Sequence, residues 1–127
     1  MEILYYSQTG NVRRFIDKLQ TEIEMDCTSI LDKSTTKEEY ILITPTTGFG
    51  QVPDPVAVFL QENHMYLKGV IGSGNMNWGE NYCGAARTIS TTYGVPLIHT
   101  FELHGTPNDL KLVKGRVEEI ESSRIKQ

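Results

Sequence analysis

The chain has 127 residues and a formal net charge of −4. We expect one domain over residues 1–127, because a chain of this length can bury roughly two-thirds of its unfolded surface. The acidic balance without a basic patch argues against nucleic acid as a partner, and no apolar run approaches the ~18 residues of a membrane span.

The N-terminal segment predicts a strand, a loop and a helix. Residues 3–6 form a short apolar and aromatic run that is typical of a buried strand. After the loop at residues 7–11, apolar side chains at helical spacing indicate one buried helix face, made by Val12, Phe15, Ile16, Leu19 and Ile23. The chain enters the strand without a secretory signal and its two cysteines form no disulfide framework, so we expect a cytoplasmic protein.

The rest of the chain predicts strands that alternate with helices. Strands are predicted at residues 25–30, 40–43, 70–71 and 97–103. One helix is predicted to start at Asp54 as its N-cap, with Pro55 in the first helical position. The next covers residues 82–93, and the last starts within residues 106–109. Five strands and four helices in this alternation predict an α/β sandwich around a parallel sheet.

Three loops are predicted to leave the carboxyl ends of the strands, at residues 7–11, 45–53 and 74–82. Ligands of such sheets sit beyond these ends, and all three loops are rich in Gly, Asn, Ser or Thr. In the first loop, Ser7 and Thr9 carry hydroxyl donors in front of a helix N-terminus, whose unpaired N–H groups attract anions. These features predict a site for an anionic ligand, with an ordinary N-cap and turn as the alternative.

Several classes of phosphate-binding protein lack support in this sequence. No G-x-x-x-x-G-K-[ST] motif is present, which argues against a nucleoside triphosphate. The pairs Gly48-x-Gly50 and Gly72-x-Gly74 lack the third glycine of a dinucleotide fingerprint. Thr44 stands where a receiver domain needs aspartate, and the first loop has no cysteine for a thiol phosphatase. A phosphate monoester held by hydroxyls and backbone N–H groups remains.

Aromatic side chains in the other two loops suit a flat ligand. Phe49, Trp78 and Tyr82 are placed to stack on an aromatic ring, although each could equally be a core or rim residue. Gly48 and Gly50 would allow a close backbone approach and easy rotation of a peptide, or simply a tight turn.

Four motifs give the sequence a resemblance to a known family. They are Ser7-x-Thr9-Gly10-Asn11-Val12, Gly48-Phe49-Gly50-x-Val52-Pro53, Ser73-Gly74-Asn75-x-Asn77-Trp78-Gly79-x-Asn81 and Phe101-Glu102-Leu103-x-Gly105-Thr106. The first is generic to flavodoxins, whereas the third and fourth more specifically resemble the NrdI family, small flavodoxin-like proteins that serve class Ib ribonucleotide reductase. The resemblance implies a flavodoxin-like three-layer α/β sandwich with helices on both faces of a five-stranded parallel sheet in the order 2-1-3-4-5.

The resemblance also implies a cofactor and a task. FMN would be reduced by an unidentified reductant and react with dioxygen, giving a superoxide-type oxidant. This oxidant would reach the dimanganese site of the radical subunit, NrdF, where it drives formation of a tyrosyl radical. The chain would then be a flavin redox accessory protein without a metal or a catalytic side chain of its own, since the flavin does the chemistry. Partner contact would use the two loops around the flavin ring.

Cofactor contacts carried over from the family fall on the three loops. The phosphate would be held by Ser7, Gln8, Thr9, Gly10, Asn11 and Val12. One side of the ring would be lined by Thr46, Thr47, Gly48 and Phe49, and the other by Asn75, Trp78, Gly79, Asn81, Tyr82 and Cys83. A backbone carbonyl at or near Gly48 would accept the N5–H hydrogen bond of reduced FMN. Two alternatives stay open: a general flavodoxin that shuttles electrons, and a flavin-free module that binds a phosphorylated ligand.

Overall fold

Five parallel strands form one sheet through the middle of the computed structural model, which describes residues 1–125. They are β1 (Glu2–Tyr5), β2 (Cys27–Ser29), β3 (Tyr40–Thr44), β4 (Leu67–Gly74) and β5 (Leu97–Glu102). The strands lie in the order β2-β1-β3-β4-β5, with every neighbouring pair parallel. This confirms the predicted fold class and strand order. The order reverses beside β1, which places a switch point at its carboxyl end.

Four α-helices cover the two faces of this sheet. They are α1 (Asn11–Gln20), α2 (Asp54–Asn63), α3 (Gly84–Tyr93) and α4 (Pro107–Ile125). Short 3₁₀ turns at His64–Tyr66 and Met76–Asn81 complete the order of elements. Within residues 1–125, no helix is both long and apolar enough to cross a bilayer.

Alternating side chains of the central strands feed two separate cores. On one face, Ile3 of β1 and Ile41 of β3 pack with the apolar stripes of α1 and α4. On the other face, Leu4 and Leu42 pack with α2 and α3. This alternation follows from the strand period of two, and it gives the three-layer sandwich that the family resemblance implies.

Several predicted boundaries need correction. Strand β2 covers residues 27–29 and not 25–30, and α1 ends at Gln20, so the buried Ile23 lies beyond the helix that its spacing predicts. Helix α2 begins at Asp54 with Pro53 as its N-cap, so the cap lies one residue earlier than predicted. Helix α3 begins at Gly84 and not at residue 82, because Cys83 adopts a left-handed conformation with φ 51° and cannot continue a helix. Strand β4 has eight residues, far more than the two predicted. Its small residues pair with β3 and β5, although glycine weakens a strand interior.

Candidate functional site

The three predicted loops meet around one cavity of about 500 Å³ at the carboxyl ends of the strands. The cavity lies beside the switch point of the sheet, between the loop before α1 and the segments that follow β3 and β4. A volume of this size falls within the range of small-molecule and cofactor sites.

The first loop leaves the N-terminus of α1 open to a ligand. Gly10 is the N-cap residue, with φ 95°, and has no side chain that could cap the helix. Ser7 Oγ accepts a hydrogen bond from the Arg13 N–H at 3.1 Å, which leaves the Ser7 hydroxyl hydrogen free to donate. The N–H groups of Asn11 and Val12 meet no acceptor in the described part of the chain. A helix start with free donors and the positive end of the helix dipole suits a phosphate group.

The second loop is a closed turn over residues 47–51. Thr47 and Gln51 exchange two backbone hydrogen bonds of 3.0 and 2.8 Å, one in each direction. Gly48 and Gly50 have φ values of 54° and 95°, which glycine adopts without strain. Phe49 at the tip is 78% exposed, so it stands out from the cavity wall as the loop is folded here.

The third loop forms two short helical turns that break at Gly79, where φ is 58°. Asn75 accepts a side-chain hydrogen bond from the Asn77 N–H at 2.9 Å, which caps the first turn. Trp78 lines the cavity and is 53% exposed, so one part of the indole remains available for contact. The 3₁₀ turns therefore occupy most of the loop predicted for residues 74–82.

Helix α3 ties the second loop to the body of the protein. The Ala85 N–H, in the first turn of α3, donates to Thr46 Oγ1 at 3.1 Å. Gly84 approaches the second loop so closely that a Cβ on it would lie 2.7 Å from the Gly50 carbonyl oxygen. The loop therefore rests on the helix through a polar contact and a backbone contact.

Four lining residues were not among the predicted contacts: Pro45, Ser73, Gly74 and Leu103. Ser73 Oγ donates to the Leu103 carbonyl at 2.6 Å, and the Leu103 N–H donates to the Gly74 carbonyl at 2.8 Å. These bonds bring the end of β5 beside the end of β4. Ser73, Gly74 and Leu103 all fall inside the motifs quoted above. Their place in those motifs was the signal from which they could have been predicted as lining residues.

Most of the predicted contact residues come together in the structure. Those that line the cavity are Gln8, Thr9, Asn11 and Val12 from the first loop, Thr46, Thr47 and Gly48 from the second, and Asn75, Trp78, Asn81 and Cys83 from the third. The others, Ser7, Gly10, Phe49, Gly79 and Tyr82, belong to the same loops but are not part of the lining. The role of every predicted residue as a cofactor contact, inside or outside the lining, remains a prediction.

The cavity wall carries no formal charge. Every lining residue is uncharged at neutral pH, and Cys83 is kept as a thiol because burial raises its pKa to about 11. Burial likewise raises the pKa of the neighbouring Tyr82 to about 12. The wall therefore offers hydrogen bonds and apolar contact without a general acid or base poised near neutral pH.

Exposed apolar side chains lie on the segments that line the cavity. Phe49, Met76, Trp78 and Leu103 are each at least 43% exposed, and Trp78 and Leu103 also line the cavity itself. We call these four residues the apolar rim. Exposed apolar groups gathered at one mouth are typical of an interaction site.

Comparison with known proteins agrees with this geometry. A family model described as NrdI Flavodoxin like matches residues 3–115. A short-chain flavodoxin associated with a PDU bacterial microcompartment superimposes with a TM-score of 0.71 at 16% identity, over 96% of each chain. A flavodoxin mutant from Fusobacterium nucleatum, bound to flavin mononucleotide, gives 0.69 at 19% identity, over 96% of this chain and 95% of that one. At these identities the two structures establish the shared fold.

Proposed function

Because the chain belongs to the NrdI flavodoxin-like family, we propose that it binds FMN and delivers an oxidant to class Ib ribonucleotide reductase. The receiving site is the dimanganese site of the radical subunit, NrdF, where a tyrosyl radical is assembled. The observation that carries the proposal is the uncapped start of α1, which opens onto a neutral cavity of about 500 Å³. This arrangement fits a phosphate monoester with a flat, largely uncharged ring system.

The first loop holds the phosphate in this proposal. The N–H groups of Asn11 and Val12 and the hydroxyl groups of Ser7 and Thr9 donate to the phosphate oxygens. The N-terminal end of α1 offsets the phosphate charge, so no lysine is needed in the loop. Charge-assisted hydrogen bonds of this kind contribute about 1.5–3 kcal/mol each.

The other two loops orient the ring. Trp78 offers a half-exposed indole for stacking, and Thr46 and Gly48 of the second loop also line the cavity. When bound and reduced, FMN supplies one electron to dioxygen, which becomes superoxide. The neutral wall adds no carboxylate that would repel a negatively charged, reduced ring.

Partner docking falls on the apolar rim in this proposal. The rim residues belong to segments that line the cavity, so a partner seated on them would cover the opening and exclude bulk water from the path of the oxidant. The short-lived oxidant then passes directly from one protein to the other.

FMN binding is tested by absorbance and fluorescence titration of the purified protein. We expect saturable quenching of FMN fluorescence. Thr9→Val should weaken binding about tenfold or more, because it removes a donor to a charged oxygen. Thr91→Val, the same change at an exposed site on α3, is the matched control and should leave the Kd unchanged. A protein that neither contains nor binds flavin contradicts the proposal and favours the flavin-free module.

Oxidant delivery is tested by mixing the reduced, FMN-loaded protein with dioxygen and manganese-loaded NrdF. Electron paramagnetic resonance should then detect a tyrosyl radical that is absent when this protein is left out. If ferricyanide or peroxide can replace the reduced protein equally well, this protein has no special role in oxidant delivery. Slow reaction with dioxygen would instead favour a general electron shuttle.

A further inference from the structure

The side chain of Gln51 folds back over the second loop. Its Oε1 accepts a hydrogen bond from the Phe49 N–H at 3.1 Å, while its backbone is paired with Thr47. The carboxamide also occupies the space beside Gly48, where a Cβ would collide with Oε1. Gln51 itself is exposed and does not line the cavity, so it can act on a ligand only through the loop.

This contact determines what the Gly48–Phe49 peptide offers to a ligand. The peptide is planar and trans, so its N–H and its carbonyl point in opposite directions. The N–H is taken by Gln51, whereas the Gly48 carbonyl accepts no hydrogen bond from any of residues 1–125. At the edge of the cavity the peptide therefore has a free acceptor and an occupied donor.

We infer that Gln51 is a positioning residue that sets the orientation of the Gly48–Phe49 peptide and thereby favours a ligand atom that donates a hydrogen bond. Given the proposed function, that atom is N5 of the flavin ring, which accepts a hydrogen bond when oxidised and carries hydrogen when reduced. Gln51 then biases the site toward the reduced cofactor without touching it.

Glutamine suits this task because its two terminal atoms have opposite roles. Oε1 accepts the Phe49 N–H in this structure, and a rotated carboxamide would present Nε2 as a donor to the Gly48 carbonyl after a peptide flip. Such a flip rotates ψ of Gly48, which has no side chain to oppose it, and φ of Phe49, which is not among the residues with positive φ in the orientation seen here. A glutamate at this position could serve only the orientation seen here, and a leucine could serve neither.

The first test measures amide hydrogen exchange by ¹H–¹⁵N NMR in the flavin-free full chain. Gln51→Leu should speed exchange of the Phe49 amide about 3- to 10-fold, the loss expected for one hydrogen bond. Gln51→Glu retains the acceptor and should keep the amide protected. Gln61→Leu, the same change at an exposed glutamine on α2, is the matched control and should have no effect. The Thr47 amide, bonded to the Gln51 backbone, reports that the turn stays closed in every variant.

The second test compares the Kd of oxidised FMN with that of anaerobically reduced FMN. Gln51→Leu is used here because it changes no charge. It should lower the ratio of the Kd of oxidised FMN to the Kd of reduced FMN about 3- to 10-fold. The freed Phe49 N–H can then donate to N5 of oxidised FMN, and the Gly48 carbonyl is no longer held in place for the N5–H of reduced FMN. Gln61→Leu should leave the ratio unchanged.

Two results would overturn this inference, and a third would separate it from the proposed function. Unchanged Phe49 exchange in Gln51→Leu overturns the role of Gln51 in holding the peptide. Faster exchange with an unchanged Kd ratio overturns its effect on the cofactor. If exchange responds as expected but wild type and variants alike fail to bind FMN, the orientation of the peptide by Gln51 is supported and the proposed function is the part that fails.

Discussion

At the scale of single residues, two helical glycines in this protein stand in opposite surroundings. Gly84 begins α3 and faces the backbone of the second loop, where a Cβ would lie 2.7 Å from Gly50 O and 2.9 Å from Gly50 Cα. Gly115 lies within α4, where a Cβ would meet nothing within 4 Å. Helix propensity favours alanine over glycine at both positions, so packing alone separates them.

Alanine substitution at these two sites should change stability in opposite directions. Gly115→Ala should raise the free energy of unfolding by about 0.5–1 kcal/mol, the gain in helix propensity. Gly84→Ala should lower it and should also weaken FMN binding, because the second loop must move away from α3. Urea denaturation and FMN titration of both variants check this pair. Equal stabilisation of both proteins would show that the second loop does not rest on Gly84.

Residue identities predicted the site better than its backbone. The hydroxyl, amide and glycine residues of the three loops were enough to predict that Thr9, Thr46 and Asn75 lie together, and all three line one cavity. Leu103 could not be found in this way, because it adopts φ 55°, a conformation that a leucine side chain does not signal. Hydrogen bonds to β4 hold it there, and such contacts exist only once the sheet has formed.

At the scale of elements, the N-termini of α1 and α4 differ in how they are capped. Before α4, the Thr106 N–H donates to Asp109 Oδ2 at 2.8 Å and the Asp109 N–H donates to Thr106 Oγ1 at 3.1 Å. The other carboxylate oxygen of Asp109 lies 2.8 Å from His99 Nε2 on β5. This capping box also fastens α4 to the sheet, whereas the N-cap residue of α1, Gly10, makes no side-chain hydrogen bond.

Removing the cap of α4 should therefore destabilise the protein. Asp109→Ala should lower the free energy of unfolding by about 1–2 kcal/mol, through the lost cap and the lost contact with His99. Asn108→Ala, one residue earlier and exposed, is the control and should change stability by less than about 0.5 kcal/mol. Chemical denaturation measures both. Similar losses in the two variants would mean that the capping box adds nothing to stability.

Elements with a strong local pattern were predicted well, and elements that depend on their neighbours were not. The buried strand β3 and the Thr-Pro start of α4 were readable because apolar runs and caps are local signals. Strand β4 was predicted too short, since its glycines lower strand propensity and only pairing on both edges holds them in the sheet. The start of α3 depended on the left-handed conformation of Cys83, which no local pattern announces.

At the scale of the whole molecule, the two ends of the sheet have different chemistry. The carboxyl ends surround a cavity without formal charge, whereas the amino ends carry a network of ion pairs. In this network, Glu39 binds Lys68 at 2.8 Å and Arg124 at 2.7 Å, and Glu2 binds Lys33 at 2.8 Å. These ion pairs therefore lie at the opposite end of the sheet from the ligand site.

Glu39 gives this end of the molecule a defined pH dependence. Hydrogen bonds from Lys68 and Arg124 lower the pKa of Glu39 from 4.5 to about 2. The ionised carboxylate therefore stabilises the folded state above pH 4.5. This contribution is lost as the pH falls from 4.5 toward 2.

Glu39→Gln should lower the free energy of unfolding on the order of 1 kcal/mol at neutral pH, because these pairs are partly exposed. The difference from wild type should narrow steadily as the pH is lowered from about 5 to about 3. Glu62→Gln, an exposed residue of α2 with no ion pair among the described residues, is the control. Denaturation curves across this pH range check the prediction, and a difference that does not change with pH would exclude the ionisation of Glu39 as its source.

The open start of α1 has a consequence for how long the protein survives in a cell. With FMN as the ligand we propose, the phosphate takes the place of the missing cap, and FMN at a hundred times its Kd adds about 2.7 kcal/mol to the folded state. In a cell short of riboflavin, more of the protein would be free of FMN and less stable to unfolding, and proteases would degrade that fraction first. The abundance of the protein would follow the vitamin supply, without a regulator of transcription.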